Sequence, residues 1–472
     1  MKTLIQNGRL IDASIDAVAD LLIVDGVIDS IGRSIRGSAD RVIDATGRLV
    51  MPGFIDPHVH IHLPFMGTHA KDDYTSASTA AVVGGTTTII EMVCPAQQDD
   101  HWRAYQTWQS KADGKSLCDY SFHMGITRFD DQTEQTIRRV RRDGVTSLKV
   151  FLAYKGAFAI SDQDLYRVCQ IAKELGMTVT AHCENAELVA SKQTELVAAG
   201  KLDPSYHEPS RPPSVEAAGV HHFCTFLKST GAAGYIVHTS CRDAVEAALP
   251  FIRDGVDVML ETVIPYLVLD QSATEKPDFE GAKYVMSPPL RDRDHQDYLW
   301  QCLGNNTIAT VATDHAPFDF EDQKRMGMPP QSDFTKIPNG IPSIEHRPAL
   351  LYTHGVTTGK ITLQQFVCLC STNAAKRFDM FPSKGSLSPG SDADVVLWDP
   401  EHRQTISAET HHMNVDYSGF EGFETIGRAE TVLVRGQTVI DQGEVVGSIG
   451  HGRQVHREVF GFGMSTDERQ NS

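Results

Sequence analysis

Six side chains in this sequence have the types and positions to hold divalent metal. They are His58 and His60 in FIDPHVHIHLPF, Lys149 in SLKVFLAY, His182 in MTVTAHC, His238 in GYIVHTS and Asp314 in TIATVATDH. Each stands at or near the carboxyl end of a short apolar run that reads as a β-strand. Four neutral imidazoles and a carboxylate converging on one point suit zinc, and also Mn, Co or Ni. Each residue alone has a plainer reading. A single histidine at a strand end is more often a hydrogen-bonded core residue than a ligand, Asp314 could cap a helix, and Lys149 could reach to solvent along its stem. The joint pattern outweighs these, because six independent plain explanations would have to hold at the same end of six predicted positions. Lys149 adds a chemical constraint. A protonated amine cannot ligate a cation, but burial favours the neutral form, and a neutral amine can add carbon dioxide to give a two-oxygen carbamate.

The elements that would carry these residues alternate in type. Predicted strands are 53–60, 86–94, 119–127, 147–154, 177–183, 234–240, 257–263 and 307–315. Helical patterns lie between them, including SDQDLYRVCQIAKELG with Ser161 as N-cap and Gly176 as stop. Eight strands alternating with helices suggest an α/β fold of the (β/α)8 TIM-barrel type, whose strand ends meet at one mouth; a doubly wound open sheet has the same local signature. The two ends of the chain read differently. LLIVDGVIDSIG turns at Asp25-Gly26 and ETVLVRGQTVIDQGEVVG at Arg435-Gly436, both hairpin signals between apolar runs. Residues 1–50 and 383–450 are therefore expected to form one small β-sandwich split in sequence, with the barrel over 51–382 and a tail over 451–472.

Composition limits the partners. A 472-residue chain with 41% hydrophobic and 22% charged residues is an ordinary globular protein, large enough for one big domain and a smaller one. A formal charge of −18 argues against nucleic acid or an anionic membrane, which need clustered Lys and Arg. No early apolar segment reads as a secretion signal and no run is long enough to span a bilayer. Nine cysteines without a CxxC pair point to buried thiols in a reducing cytoplasm rather than to a cysteine zinc site.

At this point several motifs match a family. HVH, SLKVFLAYK, AHCENAEL, IVHTSC, YVMSPPLR and ATDHAPF, in this order, resemble the cyclic amidohydrolases, most of all the dihydropyrimidinase and D-hydantoinase branch. FTKIPNGIPSIEHR, KGSLSPGSDADVVLWDP and HHMNVDY extend the likeness from about residue 3 to about residue 450. The resemblance implies a binuclear centre: His58, His60 and Asp314 on the more buried ion, His182 and His238 on the other, and carboxylated Lys149 bridging them. It implies hydrolysis of a cyclic diamide, a 5,6-dihydropyrimidine or a 5-monosubstituted hydantoin, by a hydroxide held between the ions. Tyr154 would polarise the carbonyl oxygen, Asp314 would carry the proton to the leaving nitrogen, and the regions of Ser287 and Asn339 would hold the ring.

The resemblance also settles how the third histidine of HVHIH is read. His62 stands where dihydroorotases carry an arginine for the substrate carboxylate, and histidine is a weaker anion partner near neutral pH. It is read as a residue of the pocket rim, and dihydroorotate is disfavoured. Leu63 and Phe65 in the following loop, with Phe151 and Phe158, are expected to form an apolar lid. Such a lid suits an apolar ring substituent better than the ureido group of allantoin. Non-catalytic relatives of dihydropyrimidinase lack several of the ligands, whereas this chain has the full set. By resemblance the protein is a homotetramer or dimer, with the segment HGRQVHREVFGFG docking on a neighbouring subunit.

Overall fold

Eight stretches rich in Val, Ile and Thr become the strands of one parallel sheet. In order they are Phe54–Val59, Thr86–Val93, Asp119–Gly125, Ser147–Phe151, Thr178–His182, Ala233–Ile236, Val258–Val263 and Thr310–Ala312. Neighbours in sequence are neighbours in the sheet, and Val59 forms a parallel bridge to His315 that brings the two edges together. An open doubly wound sheet would reverse its strand order part-way; this one does not, so the fold is the nearly closed barrel. Helices cover its outside, which is why the strands are apolar throughout instead of alternating. The helix Asp162–Leu175 begins at Ser161, whose side chain accepts from Asp164 N, and stops at Gly176 in the left-handed conformation.

The computed structural model describes residues 1–458. Within them the two chain ends pair into one nine-stranded mixed sheet. Leu49–Pro52 runs antiparallel to the start of Val395–Thr405, so the strand that leads into the barrel is stitched to the strand that leaves it. The strand Lys2–Ile11 forks: Thr3 to Gln6 pair with Arg41–Asp44, while Arg9 and Leu10 pair with Leu49 and Val50. The fork bends the sheet around its own core of Ile5, Leu10, Ile23, Val395 and Leu433. Sheet and barrel are joined by a buried ion cluster, in which Lys384 Nζ contacts Asp119 Oδ2 at 2.6 Å and Asp394 Oδ2 at 2.7 Å.

Residues 453–457 continue past this sheet along the barrel floor. Tyr120 N donates to Arg453 O, and Val455 N donates back to Tyr120 O at 2.7 Å. Arg457 is fully buried, donating to Ser147 Oγ and to Phe122 O. Gly144 permits this approach, since a Cβ there would lie 2.8 Å from His456 Cα. This part of the tail therefore rests on its own barrel, where the sequence suggested a neighbouring subunit; Phe460 and Phe462 lie outside the described residues. No helix among the described residues is long and apolar enough to cross a membrane. The cysteines are unpaired, and all but Cys368 are buried.

Candidate active site

The carboxyl ends of the barrel strands carry the polar residues into one place. His58 lies within the first strand and His60 just beyond it; His58 Nε2 and His60 Nε2 each stand 3.1 Å from Asp314 Oδ1. Ligand atoms of these three residues lie within 4.8 Å of one another, close enough for a single ion. Across the mouth, His182 Nδ1 faces His238 Nε2 at 2.9 Å. The outer nitrogen of His182 is held by Glu184 Oε2 at 2.7 Å, which fixes the ring and turns Nδ1 inward. Lys149 rises from the middle of the fourth strand, fully buried. His60, Lys149, His182, His238 and Asp314 line a common cavity of about 40 Å³, with His58 packed behind them.

The electrostatics of the cluster are those of a cation site. Burial drives His60 down to about 4, leaving a neutral imidazole at pH 7. Burial acts on His58 in the same direction, but Glu261 and Asp314 outweigh it and raise this ring to about 9; bound metal would take the place of that proton. Burial also lowers the Lys149 amine to about 8, against the pull of Asp314, so a neutral, nucleophilic fraction exists near pH 7. Lys149 Nζ and His58 Nε2 are buried with no hydrogen-bond partner. Orphaned buried nitrogens of this kind are costly unless something else satisfies them. Nitrogen and oxygen donors without thiolate suit zinc, manganese, cobalt or nickel, so the residues fit a divalent metal centre.

A model of the amidohydrolase family matches residues 49–439. The chain belongs to that family. Within it, a D-hydantoinase of Geobacillus stearothermophilus is 45% identical over 469 residues, covering 99% of each chain. A rat dihydropyrimidinase is 36% identical over 467 residues, covering 97% of this chain and 89% of its own. The solved structure of a D-hydantoinase (dihydropyrimidinase) from Thermus sp. superposes with a TM-score of 0.94 at 50% identity, over 97% of this chain and 99% of that one.

Around the cluster this amidohydrolase arranges two further sets of residues. Tyr154, Ser287 and Asn339 form a polar side: Asn339 Nδ2 donates to Ser287 Oγ at 2.8 Å, and Tyr154 hydrogen-bonds with both. Burial pushes the Tyr154 phenol up to about 12, with Arg211 opposing, so it remains a protonated donor. Opposite stand Leu63, Phe65, Phe151 and Phe158, with Phe65 stacked on Phe158 at 6.3 Å and an interplanar angle of 11°. Beyond this lid a vestibule of about 530 Å³ opens outward, sharing Phe65, Tyr154, Phe158 and Asn339 with the inner cavity. His62 points elsewhere. Its ring is half-buried and stacks on His69 at 6.4 Å, and it does not line the cavity.

Three features escape the sequence reading. Glu261, on the seventh strand, holds His58 Nδ1 at 2.7 Å and His238 N at 2.9 Å; Glu184 holds His182 and also accepts from Arg211. Such outer partners orient ligand rings and set their tautomers. A lone glutamate inside the apolar run VMLETV was the available signal. Tyr154, His238 and Asp314 adopt left-handed backbone conformations, with φ of 65°, 41° and 50°. This is unfavourable for residues with a Cβ and concentrates at functional sites; sequence carries no mark of it.

Proposed function

We propose that the protein hydrolyses one amide bond of a cyclic diamide, opening a 5,6-dihydropyrimidine or a 5-monosubstituted hydantoin to an N-carbamoyl amino acid. One observation carries this reading: four histidines, a buried partnerless lysine and a strained aspartate meet at the barrel mouth of a chain similar to hydantoinases over its whole length.

His58, His60 and Asp314 would hold one divalent ion, His182 and His238 a second, and Lys149, as its carbamate, would bridge them; zinc is the favoured ion. When bound, such ions supply charge that acidifies water and polarises a carbonyl. The chain's own groups do the rest. Tyr154 donates a hydrogen bond to the carbonyl oxygen as negative charge develops on it. Asp314 accepts the proton of the attacking water as the water oxygen bonds to the carbonyl carbon. As the C–N bond breaks, Asp314 delivers that proton to the departing ring nitrogen. The segments of Ser287 and Asn339 hold the −CO−NH−CO− face, while Leu63, Phe65, Phe151 and Phe158 exclude water and receive the group at the ring carbon.

A homotetramer in the cytoplasm is the setting we favour, consistent with the unpaired cysteines. Mass spectrometry of the product tests the chemistry. An N-carbamoyl amino acid, heavier than the substrate by one water, is expected from either ring; release of ammonia or carbon dioxide would contradict the assigned bond cleavage.

A further inference from the structure

Lys324 is an unusual residue to find inside this protein. It is fully buried, yet its Nζ is bonded to two main-chain carbonyls, Val285 O at 2.9 Å and Gly340 O at 2.7 Å. Lysine is almost never buried without a charged partner. Burial alone acts on this amine, and it pushes the amine well below the ordinary lysine range. The neutral form explains the geometry: it has two N–H groups, and two carbonyls receive them, whereas an ammonium would leave a third donor unsatisfied in a dry site.

The two carbonyls are not arbitrary. Val285 lies two residues before Ser287, and Gly340 directly follows Asn339. The same segments touch each other through Gly340 N to Val285 O at 2.9 Å and Asn339 Nδ2 to Ser287 Oγ at 2.8 Å. Gly340 is pressed against the stretch after Asp314, because a Cβ there would lie 2.3 Å from Ala316 O at a φ of +152°. Lys324 thus ties together the two pieces of chain assigned to ring binding, at the point where they meet the loop bearing Asp314. Its neighbour Gln323 holds the lid loop, donating to His69 O at 2.8 Å.

We propose that Lys324 is a positioning residue for substrate: it fixes the Ser287 and Asn339 segments at the spacing the cyclic diamide requires, and so governs affinity and not the chemical step. This rests on the ring-opening reading above. Lys324 touches neither metal ligand nor lid, so its loss should leave the metal centre and the proton-transfer group in place.

The test compares wild type, Lys324→Met and Lys324→Gln on whichever of dihydrouracil and a 5-substituted hydantoin the wild type opens. Metal content and thermal midpoint are measured on the same samples. Methionine keeps the volume and removes both donors; glutamine restores an NH2 that can reach two acceptors. We expect KM to rise at least tenfold in Lys324→Met with kcat within threefold and metal content unchanged, and KM to recover part-way in Lys324→Gln. An unchanged KM in folded Lys324→Met, a fall in kcat alone, or failure of both variants to fold would overturn the proposal. Absence of ring opening by wild type would instead sink the underlying reading.

Discussion

At the scale of single residues, Lys149 carries the sharpest chemical consequence. Lys149→Ala removes the bridging group while leaving four imidazoles and Asp314, so metal and activity should fall together. A short carboxylate such as acetate, added with divalent metal, should restore part of the activity, because it can occupy the space of the missing carbamate. Rescue by acetate but not by chloride is the outcome that supports carboxylation; full metal content in the variant would argue against it. Asp314→Asn keeps an oxygen near the ion but loses the proton carrier. Its kcat should drop by about 10²–10⁴, the usual worth of general acid–base assistance, with KM changed far less. These residues were legible because their types are chemically restrictive: few roles suit a histidine or lysine at the end of an apolar strand. Glu261 and Glu184 were not, since a glutamate in such a run is compatible with many partners, and only the fold reveals that His58 and His182 are theirs.

At the scale of elements, apolar runs and caps located all eight barrel strands and the helix starting at Ser161. What periodicity could not supply is the conformation of the loops that leave those strands. Tyr154, His238 and Asp314 all turn left-handed just where their side chains must enter the site, and only surrounding packing holds them there. The lid is similar: its apolar character was readable, but the stacking of Phe65 on Phe158 depends on two loops from different strands meeting. Phe158→Ala should open that contact. We expect KM for a hydantoin bearing an aromatic substituent to rise about tenfold, the effect of losing roughly 1.4 kcal/mol of apolar contact. KM for unsubstituted dihydrouracil should stay near the wild-type value. Equal effects on both substrates would place Phe158 in general packing instead.

At the scale of the whole molecule, the two chain ends are bound into one sheet, and that sheet is pinned to the barrel by charge. Lys384 sits between Asp119 of the third barrel strand and Asp394 at the sheet, with Asp392 at 3.0 Å and Arg435 also on Asp119. Lys384→Ala would leave buried carboxylates without their cation, a change that costs about 3–5 kcal/mol. The thermal midpoint should fall markedly while residual folded enzyme keeps its metal and its KM; a midpoint equal to wild type would mean the cluster is not what joins the two parts. Hairpin signals showed that both ends are β-rich, and their flanking of a different middle suggested that they pair. The fork in Lys2–Ile11 and the path of residues 453–457 beneath the barrel came from tertiary contacts without a local signature.

The central claim is a metal-dependent opening of a cyclic diamide, and one assay tests it directly. Purified protein is given dihydrouracil and a 5-substituted hydantoin, with divalent metal measured in the same sample before and after chelation. The account predicts about two metal ions per chain, opening of at least one ring, loss of activity on chelation, and its return with zinc and bicarbonate. Neither ring opened by fully loaded protein, or opening that survives complete removal of metal, would contradict it.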